Sequence, residues 1–293
     1  MTLVYIVSDV RSGSTLLDTI LSQNDSITSI GEAHHFGKYF TREEGFEMCS
    51  CSRKIHDCEF WKIIIEELEK DSSLLGRSFA TRFTLSDVPF VRIIQHLSLI
   101  LLPDNFLSVT KFHRRNKVIS GNRFTLVDKL RVLAPEGILL DSSKNPEAIP
   151  YLLGQKSCEV RIIHLVRDYR AVTHSKYLRS NGRMSFNKAL VSTLIKAWII
   201  KKYAQKVPSR KHVRINYEEL VRRPDRVMNI LEDFLGVTLD SIGQESAIEL
   251  KEIHNLGGSP HRFNKRFKLV EDLKWKSDKQ YLKFLKRLNL LNR

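Results

Sequence analysis

Arg11, Ser12, Gly13, Ser14 and Thr15 lie between the apolar run Leu3 to Val7 and a helical pattern in which Leu16, Leu17, Ile20 and Leu21 share one face. The order is strand, tight polar turn, helix. Small and hydroxylated residues at such a turn let the backbone wrap a ligand closely and aim several N–H groups at it. The helix N-terminus adds partial positive charge, so the turn suits an anion. The upstream glycine and the Gly-Lys-Ser/Thr ending of a Walker A loop are missing. Ordinary ATP or GTP hydrolysis is therefore not the first choice for this turn.

Two further cations follow strand-like runs. "GILLDSSK" at 137–144 reads as a second strand ending in Lys144, with Pro146 placed to start a helix. "RIIHLV" at 161–166 reads as a third, followed by Arg167 and a helical stretch through Ser175 and Tyr177. Residues 213–215 read as a fourth, leading into "NYEELVRRPDRVMNILEDFLG". Strands alternating with helices predict an α/β fold with a P-loop-type, mostly parallel sheet flanked by helices. Ligands of such sheets sit beyond the carboxyl ends of the strands, where Arg11, Lys144 and Arg167 all fall. Three cations at three strand ends suit a ligand with more than one anionic group.

The chain has 293 residues and no Gly/Ser- or Pro-rich linker, and is expected to form a single domain over 1–293. Residues 60–135 read as a largely helical, basic insertion above the strand ends. The formal net charge is +15. Residues 251–293 carry twelve Lys/Arg against four Asp/Glu, and residues 110–131 carry seven against one, so these segments hold nearly all the excess. In the basic C-terminal segment, Trp275, Tyr281, Leu282, Phe284, Leu285 and Leu288 recur among lysines, as in an amphipathic helix packed on the body. For 110–131 a ligand-facing surface is the expectation. The N-terminus has no basic region followed by an apolar one, and the most apolar helix candidate, 88–102, is interrupted by Arg92, Gln95 and His96. A soluble, cytoplasmic chain without a transmembrane segment is expected. Cys49, Cys51 and Cys58 cluster in "CSCSRKIHDC" with His56 among them. Their spacing is not that of a standard zinc finger. Metal binding and a local disulfide are both open for this group, and plain packing ahead of Phe60 and Trp61 is the preferred reading.

With these residues in hand, the chain resembles the sulfotransferases that use 3'-phosphoadenosine 5'-phosphosulfate (PAPS). "RSGST" at 11–15 is similar to their 5'-phosphosulfate loop. "LVRDYRAVTHS" at 165–175 is similar to their 3'-phosphate motif, with Arg167 and Ser175 eight positions apart. "YEELVRRPDRVMNILEDFLGV" resembles the family's Tyr-Glu segment, and "HNLGGSPHRF" at 254–263 resembles the Gly-containing loop that closes over the nucleotide. Within the family, Arg11 in place of Lys and the "RDYRAVTHS" form resemble the Golgi tyrosylprotein and carbohydrate enzymes and their bacterial relatives. The Golgi enzymes carry an N-terminal membrane anchor not seen here, which favours a bacterial-type cytoplasmic enzyme. Residues 60–135 resemble nothing recognisable in the family.

The resemblance implies a sulfuryl transfer from PAPS to an acceptor hydroxyl, releasing 3'-phosphoadenosine 5'-phosphate (PAP), with no metal required. "SIGEAHH" places Glu32 twenty-one residues after Arg11, as in the tyrosylprotein enzymes, whose corresponding Glu is the catalytic base. His34 and His35 are reserves for that role. "SSKNP" resembles their Lys-Asp-Pro segment and makes Lys144 an electrophilic partner. Arg11 would neutralise the bridging oxygen of the departing nucleotide. Residues Ser12, Gly13, Ser14 and Thr15 would hold the 5'-phosphate, Arg167 and Ser175 the 3'-phosphate, and Tyr217 and Arg262 would adjoin the nucleotide. The acceptor is a glycan, glycolipid, small alcohol or tyrosine, and the basic stretch 110–131 motivates an anionic one. No nucleic-acid partner is expected. Two other readings are a P-loop nucleotide kinase or nucleotidase, and a noncatalytic polyanion-binding module. The first lacks an evident Mg²⁺-binding Asp pattern; the second leaves the anion-binding residues at successive strand ends unexplained.

Overall fold

Every residue of β1 (Thr2–Ser8) beyond Thr2 is buried, which places this strand at the centre of a sheet covered on both faces. Its neighbours confirm it. β2 (Ile27–Gly31), β3 (Ile138–Lys144), β4 (Glu159–Val166) and β5 (His212–Asn216) complete a sheet in the order β2-β3-β1-β4-β5, and every pairing is parallel. The computed structural model describes residues 1–44, 46–71, 79–102, 104–133, 137–155, 157–240 and 248–291.

The helices are α1 (Ser14–Leu21), α2 (Phe36–Phe40), α3 (Glu59–Glu69), α4 (Pro89–Leu101), α5 (Asp104–Leu107), α6 (Lys111–Leu130), α7 (Ile149–Leu153), α8 (Tyr169–Arg179), α9 (Phe186–Ala204), α10 (Tyr217–Arg222), α11 (Pro224–Leu235) and α12 (Lys279–Arg287). Alternation along β1 sorts them onto two faces. Leu3, Tyr5 and Val7 join a core with residues of α3, α6, α7 and α9. Val4 and Ile6 point the other way, into a core with α1, α10 and α11. The mostly parallel α/β sheet is thus observed, with one strand more than the four expected. β2 escaped notice because "ITSIG" is neither a continuous apolar run nor long, and its Ser29 is buried by hydrogen bonding to Asp18 (2.6 Å).

Between residues 60 and 135 the structure contains α3 to α6; residues 72–78, 103 and 134–135 of that stretch lie outside the described residues, as do 292 and 293 of the C-terminal segment. The amphipathic helix expected in that segment is α12. Asp278 caps it by accepting from the Tyr281 N–H (3.0 Å), and Tyr281 and Leu285 are buried with Trp275 and Ala171 in a small core of their own. Among the described residues no helix is long and apolar enough to cross a membrane.

The parallel pairing is interrupted at two places. Tyr5 pairs with Asp141 but Val7 with Lys144, so β3 carries an extra residue; Ser29 pairs with Leu140 but Gly31 with Asp141, so β2 carries one too. Such irregularities re-aim side chains. Here they lie immediately before Lys144 and Glu32.

Candidate active site

Beyond β1 the chain turns through Arg11 and Gly13, both in the left-handed region (φ 70° and 89°). Gly13 caps α1 with no side chain to cover the first N–H groups of the helix, which leaves those donors free for an anion. Any other residue at 13 would be strained. A Cβ there would lie 2.4 Å from Cδ2 of Tyr217, whose ring is buried at the start of α10. The turn is tied to α8 by an ion pair between Asp9 and Lys176 (2.6 Å), both largely buried.

The arginines gather beside this turn. Arg11 Nε donates to Ser175 Oγ (2.9 Å), and Arg167 donates from Nη1 to the Arg11 carbonyl (2.8 Å). Arg167 also lies over the Tyr217 ring, 4.5 Å from its centroid. Burial, then the charges of Arg179 and Arg167, push the pKa of Arg11 down, with Asp272 opposing them. Crowded guanidiniums of this kind favour an incoming anion. The counter-charge is Asp272, from the C-terminal segment. Its carboxylate is 3.2 Å from Arg167, and its carbonyl accepts a second bond from Nη2 (3.0 Å). Asp168, the nearer carboxylate in sequence, is occupied elsewhere: it caps α8 and holds Arg170. Arg167 Nε remains buried with no partner among the described residues.

Lys144 and Glu32 form the other half of the site. Their side chains meet in a short ion pair between Nζ and Oε1, both mostly buried. Lys144 too has a left-handed backbone (φ 70°), a strained conformation for a non-glycine residue. Burial alone would raise the Glu32 carboxyl, but the neighbouring His35 ring and the Lys144 ammonium outweigh it and hold the pKa down to about 2. His34 is itself pushed well below its ordinary value, first by burial and then by His35, so its imidazole is neutral at pH 7. The ring nitrogens of His34 and His35 nearest Glu32 lie 3.8 and 3.6 Å from its other oxygen.

Several residues that sequence reasoning did not single out support this pair. Asp141 accepts from the Ser143 hydroxyl (2.5 Å), and that hydroxyl accepts from the His34 N–H (3.0 Å), which locks the turn carrying Glu32 onto β3. Asp141 is balanced by Arg123 of α6, and both are almost completely buried. The basic stretch 110–131 therefore divides. Lys111, Arg114, Arg115 and Lys117 are exposed, whereas Arg123 points inward beneath the site.

The C-terminal segment closes over both halves. Leu256 bonds to Ile30 and Glu32 through its backbone, so closely that a Cβ on Gly31 (φ 63°) would lie 2.5 Å from the Leu256 carbonyl. Gly258 passes against Thr15 and Glu32, and Ser259 N–H reaches Thr15 Oγ1 (3.4 Å). Asn255 donates to Asp18 (2.8 Å), which also receives Ser29. The structure thus brings Arg11, Ser175, Arg167 and Tyr217 together, and Glu32 with Lys144, His34 and His35. Ser12 and Ser14 are buried in the turn. Arg262 is turned away, to Tyr39 Oη (3.4 Å) and the Met48 carbonyl (3.2 Å).

A family model for the sulfotransferase family matches residues 4–241, a span that includes the turn at Arg11 to Thr15, Glu32, Lys144, Arg167 and Ser175. The chain belongs to the sulfotransferase family. The C-terminal segment that closes the site lies beyond the matched residues. Among solved structures, this sulfotransferase is similar to the sulfotransferase domain of the Synechococcus PCC 7002 olefin synthase, at 20% identity and a TM-score of 0.48, with 99% of this chain and 94% of that one covered. The sulfotransferase domain from the curacin biosynthetic pathway is similar at 17% identity and a TM-score of 0.48, covering 98% and 96%. A sulfotransferase from Alicyclobacillus acidocaldarius is similar at 17% identity and a TM-score of 0.43, covering 85% of each chain. No curated protein matches the chain in sequence.

Proposed function

We propose that this sulfotransferase takes its sulfuryl group from PAPS and delivers it to an acceptor hydroxyl, with Glu32 as the base. The observation that carries the reading is the placement of two separate devices beyond the ends of one parallel sheet. One is a turn with open helix N–H groups and crowded arginines; the other is a carboxylate paired with a lysine. When bound, PAPS would supply an activated sulfuryl group and a leaving phosphate.

The chain's own residues divide the remaining work. Residues 12–15 offer backbone N–H groups and the Ser14 and Thr15 hydroxyls to a 5'-phosphate. Arg167 and Ser175 suit a 3'-phosphate, and the buried unpartnered Nε of Arg167 is an unused donor for it. Asp272 holds that place as counter-ion in the nucleotide-free protein. Glu32 is ionised at any working pH, but while it is bonded to Lys144 it is a weak base. Transfer of the Lys144 ammonium to charge developing on the leaving oxygen frees the carboxylate to accept the acceptor's proton. His34, neutral and fixed through its backbone N–H to Ser143, lines the Glu32 carboxylate. The exposed cations of α6 suit an acceptor bearing negative charge, such as an acidic glycan or anionic small alcohol.

Thermal shift with PAP, AMP and ATP-magnesium, run side by side, tests the nucleotide half. A rise with PAP well above that with AMP supports the reading. Stabilisation by ATP-magnesium alone sinks it and favours a kinase or nucleotidase.

A further inference from the structure

Three of the four cysteines converge on one histidine from the far end of the chain. Cys49, Cys51 and Cys58 come from the loop between α2 and α3, and His254 from the segment that closes the active site. Their four ligand atoms all lie within 4.8 Å of one another. The Sγ atoms of Cys51 and Cys58 are 3.6 Å apart, and His254 Nδ1 is 3.2 Å from Cys58 Sγ and 3.9 Å from Cys49 Sγ. A tetrahedral zinc site, with Zn–S of about 2.3 Å and Zn–N of about 2.0–2.1 Å, requires S–S edges of about 3.8 Å and S–N edges of about 3.6 Å. The S–S separation of 3.6 Å is close to the first value, and the two S–N separations of 3.2 and 3.9 Å lie on either side of the second. His56, which lies among the cysteines in sequence, is not part of the group; its ring faces Arg42 and the Tyr39 carbonyl.

The surroundings match a ligating histidine. Nδ1 faces the sulfurs, while Nε2 faces the Glu252 carboxylate at 3.8 Å. A carboxylate on the second ring nitrogen is the usual device for fixing the tautomer and ring direction of a metal-bound imidazole. The ring is stacked on Phe60 (centroids 5.2 Å apart, 6° between planes), and the His254 carbonyl accepts from Trp61 Nε1 (2.6 Å). Cys49 and Cys58 are fully buried. All four cysteines are free thiols.

We infer that Cys49, Cys51, Cys58 and His254 bind one structural Zn²⁺ that pins the closing segment of the active site to the loop before α3. Three thiolates and one imidazole complete a tetrahedron and leave no open position, which marks a structural and not a catalytic site. The thiol protons go to solvent on binding, so affinity falls with acid. The mechanical consequence comes from the chain path. Immediately after His254, Asn255 bonds to Asp18, Leu256 bonds to Glu32, and Gly258 passes against Thr15 and Glu32. Zinc would hold the start of that path in register.

The test uses the full chain purified without chelator. Metal analysis is expected to find about one zinc per chain, and X-ray absorption three sulfurs and one nitrogen at the distances above. His254→Cys keeps the zinc with a four-sulfur shell, Cys58→Ser loses it, and Cys158→Ser retains it because that thiol lies outside the cluster. Zinc-free wild type after incubation with Zn²⁺ under reducing conditions overturns the inference, as does a sulfur-poor shell. A disulfide within the Cys49, Cys51 and Cys58 group, found by intact mass in metal-free protein, overturns it equally. The wild-type absorption spectrum decides even where a cysteine variant fails to fold.

Discussion

Lys144 and Arg167 each stand where a strand of the same sheet ends, yet their counter-charges come from different places. Lys144 is closed on Glu32, supplied by the edge strand next to its own, and both side chains are mostly buried. Arg167 is matched by Asp272 from the C-terminal segment, and that carboxylate is 35% exposed. Removing one member of a buried pair strands the other charge in a poor solvent, so such a pair is held as a unit. A partly exposed counter-ion on a peripheral segment is exchangeable at little cost. On the proposed reading, the first arrangement belongs to the transfer step and the second to recognition of the nucleotide.

Glu32→Gln is the sharpest way to separate the two halves. It keeps the shape of the side chain and removes the base, so turnover falls about 10²–10⁴-fold while PAP affinity, measured by calorimetry, stays nearly unchanged. Unaltered turnover removes Glu32 from the mechanism. The same pair has a pH signature in stability. The folded-state pKa of Glu32 lies below its ordinary value of 4.5, at about 2, so the ionised carboxylate contributes in full above 4.5 and that contribution is lost as pH falls through about 2. The gap in urea midpoint between wild type and Glu32→Gln should therefore close across that window. A gap independent of pH would mean that the ion pair does not set it.

Arg167→Ala attacks the other half. Loss of charge-assisted bonds to a 3'-phosphate is expected to weaken PAP by roughly 10- to 150-fold and to leave AMP almost unaffected. Equal weakening of both nucleotides would mean that Arg167 only supports the turn through the Arg11 carbonyl.

How legible these halves were in sequence depended on how local their signals are. Arg11 to Thr15 stand in one turn between an apolar strand and a helical face, and the separation of Arg167 from Ser175 fits within one helix start. Lys144 was readable from a strand ending in a polar cluster. The partners were harder, because they are supplied by distant chain. Asp272 lies 105 positions from Arg167, His254 lies 196 from Cys58, and Arg123 reaches Asp141 from inside a helix whose first four cations face solvent. β2 was hidden for a different reason, being short and partly polar where Asp18 meets Ser29.

Gly13 holds the turn before α1 against the Tyr217 ring, and its substitution tests whether the turn's shape is imposed from outside. Gly13→Ala meets both a left-handed φ and the Tyr217 ring. Destabilisation on the order of 1–3 kcal/mol is expected from the strained backbone, with weakened PAP binding, read from denaturant midpoints and calorimetry. Replacing Tyr217 by Ala in the same chain relieves the collision but not the φ, so Gly13→Ala is expected to cost less in the Tyr217→Ala background than in wild type. Full additivity of the two changes would show that the ring does not constrain the turn.

The smallest expected effect falls on Asp272. Its pKa lies below the ordinary carboxylate value, since bonding to Arg167 outweighs the opposing effect of burial, so at neutral pH it competes as an anion for the guanidinium. Asp272→Asn keeps the carbonyl bond to Arg167 and deletes the competing charge. PAP should then bind tighter by up to about 5-fold, the range of a partly exposed ion pair, with AMP unchanged and turnover at saturating donor unaltered. The AMP control is decisive. A mutation that merely loosened the C-terminal segment would weaken both nucleotides, whereas release of Arg167 favours only the ligand that brings a 3'-phosphate. Weaker PAP binding in Asp272→Asn would instead make Asp272 a clamp that orients Arg167, and the contrast with the Glu32–Lys144 pair would collapse into two preformed pairs of one kind.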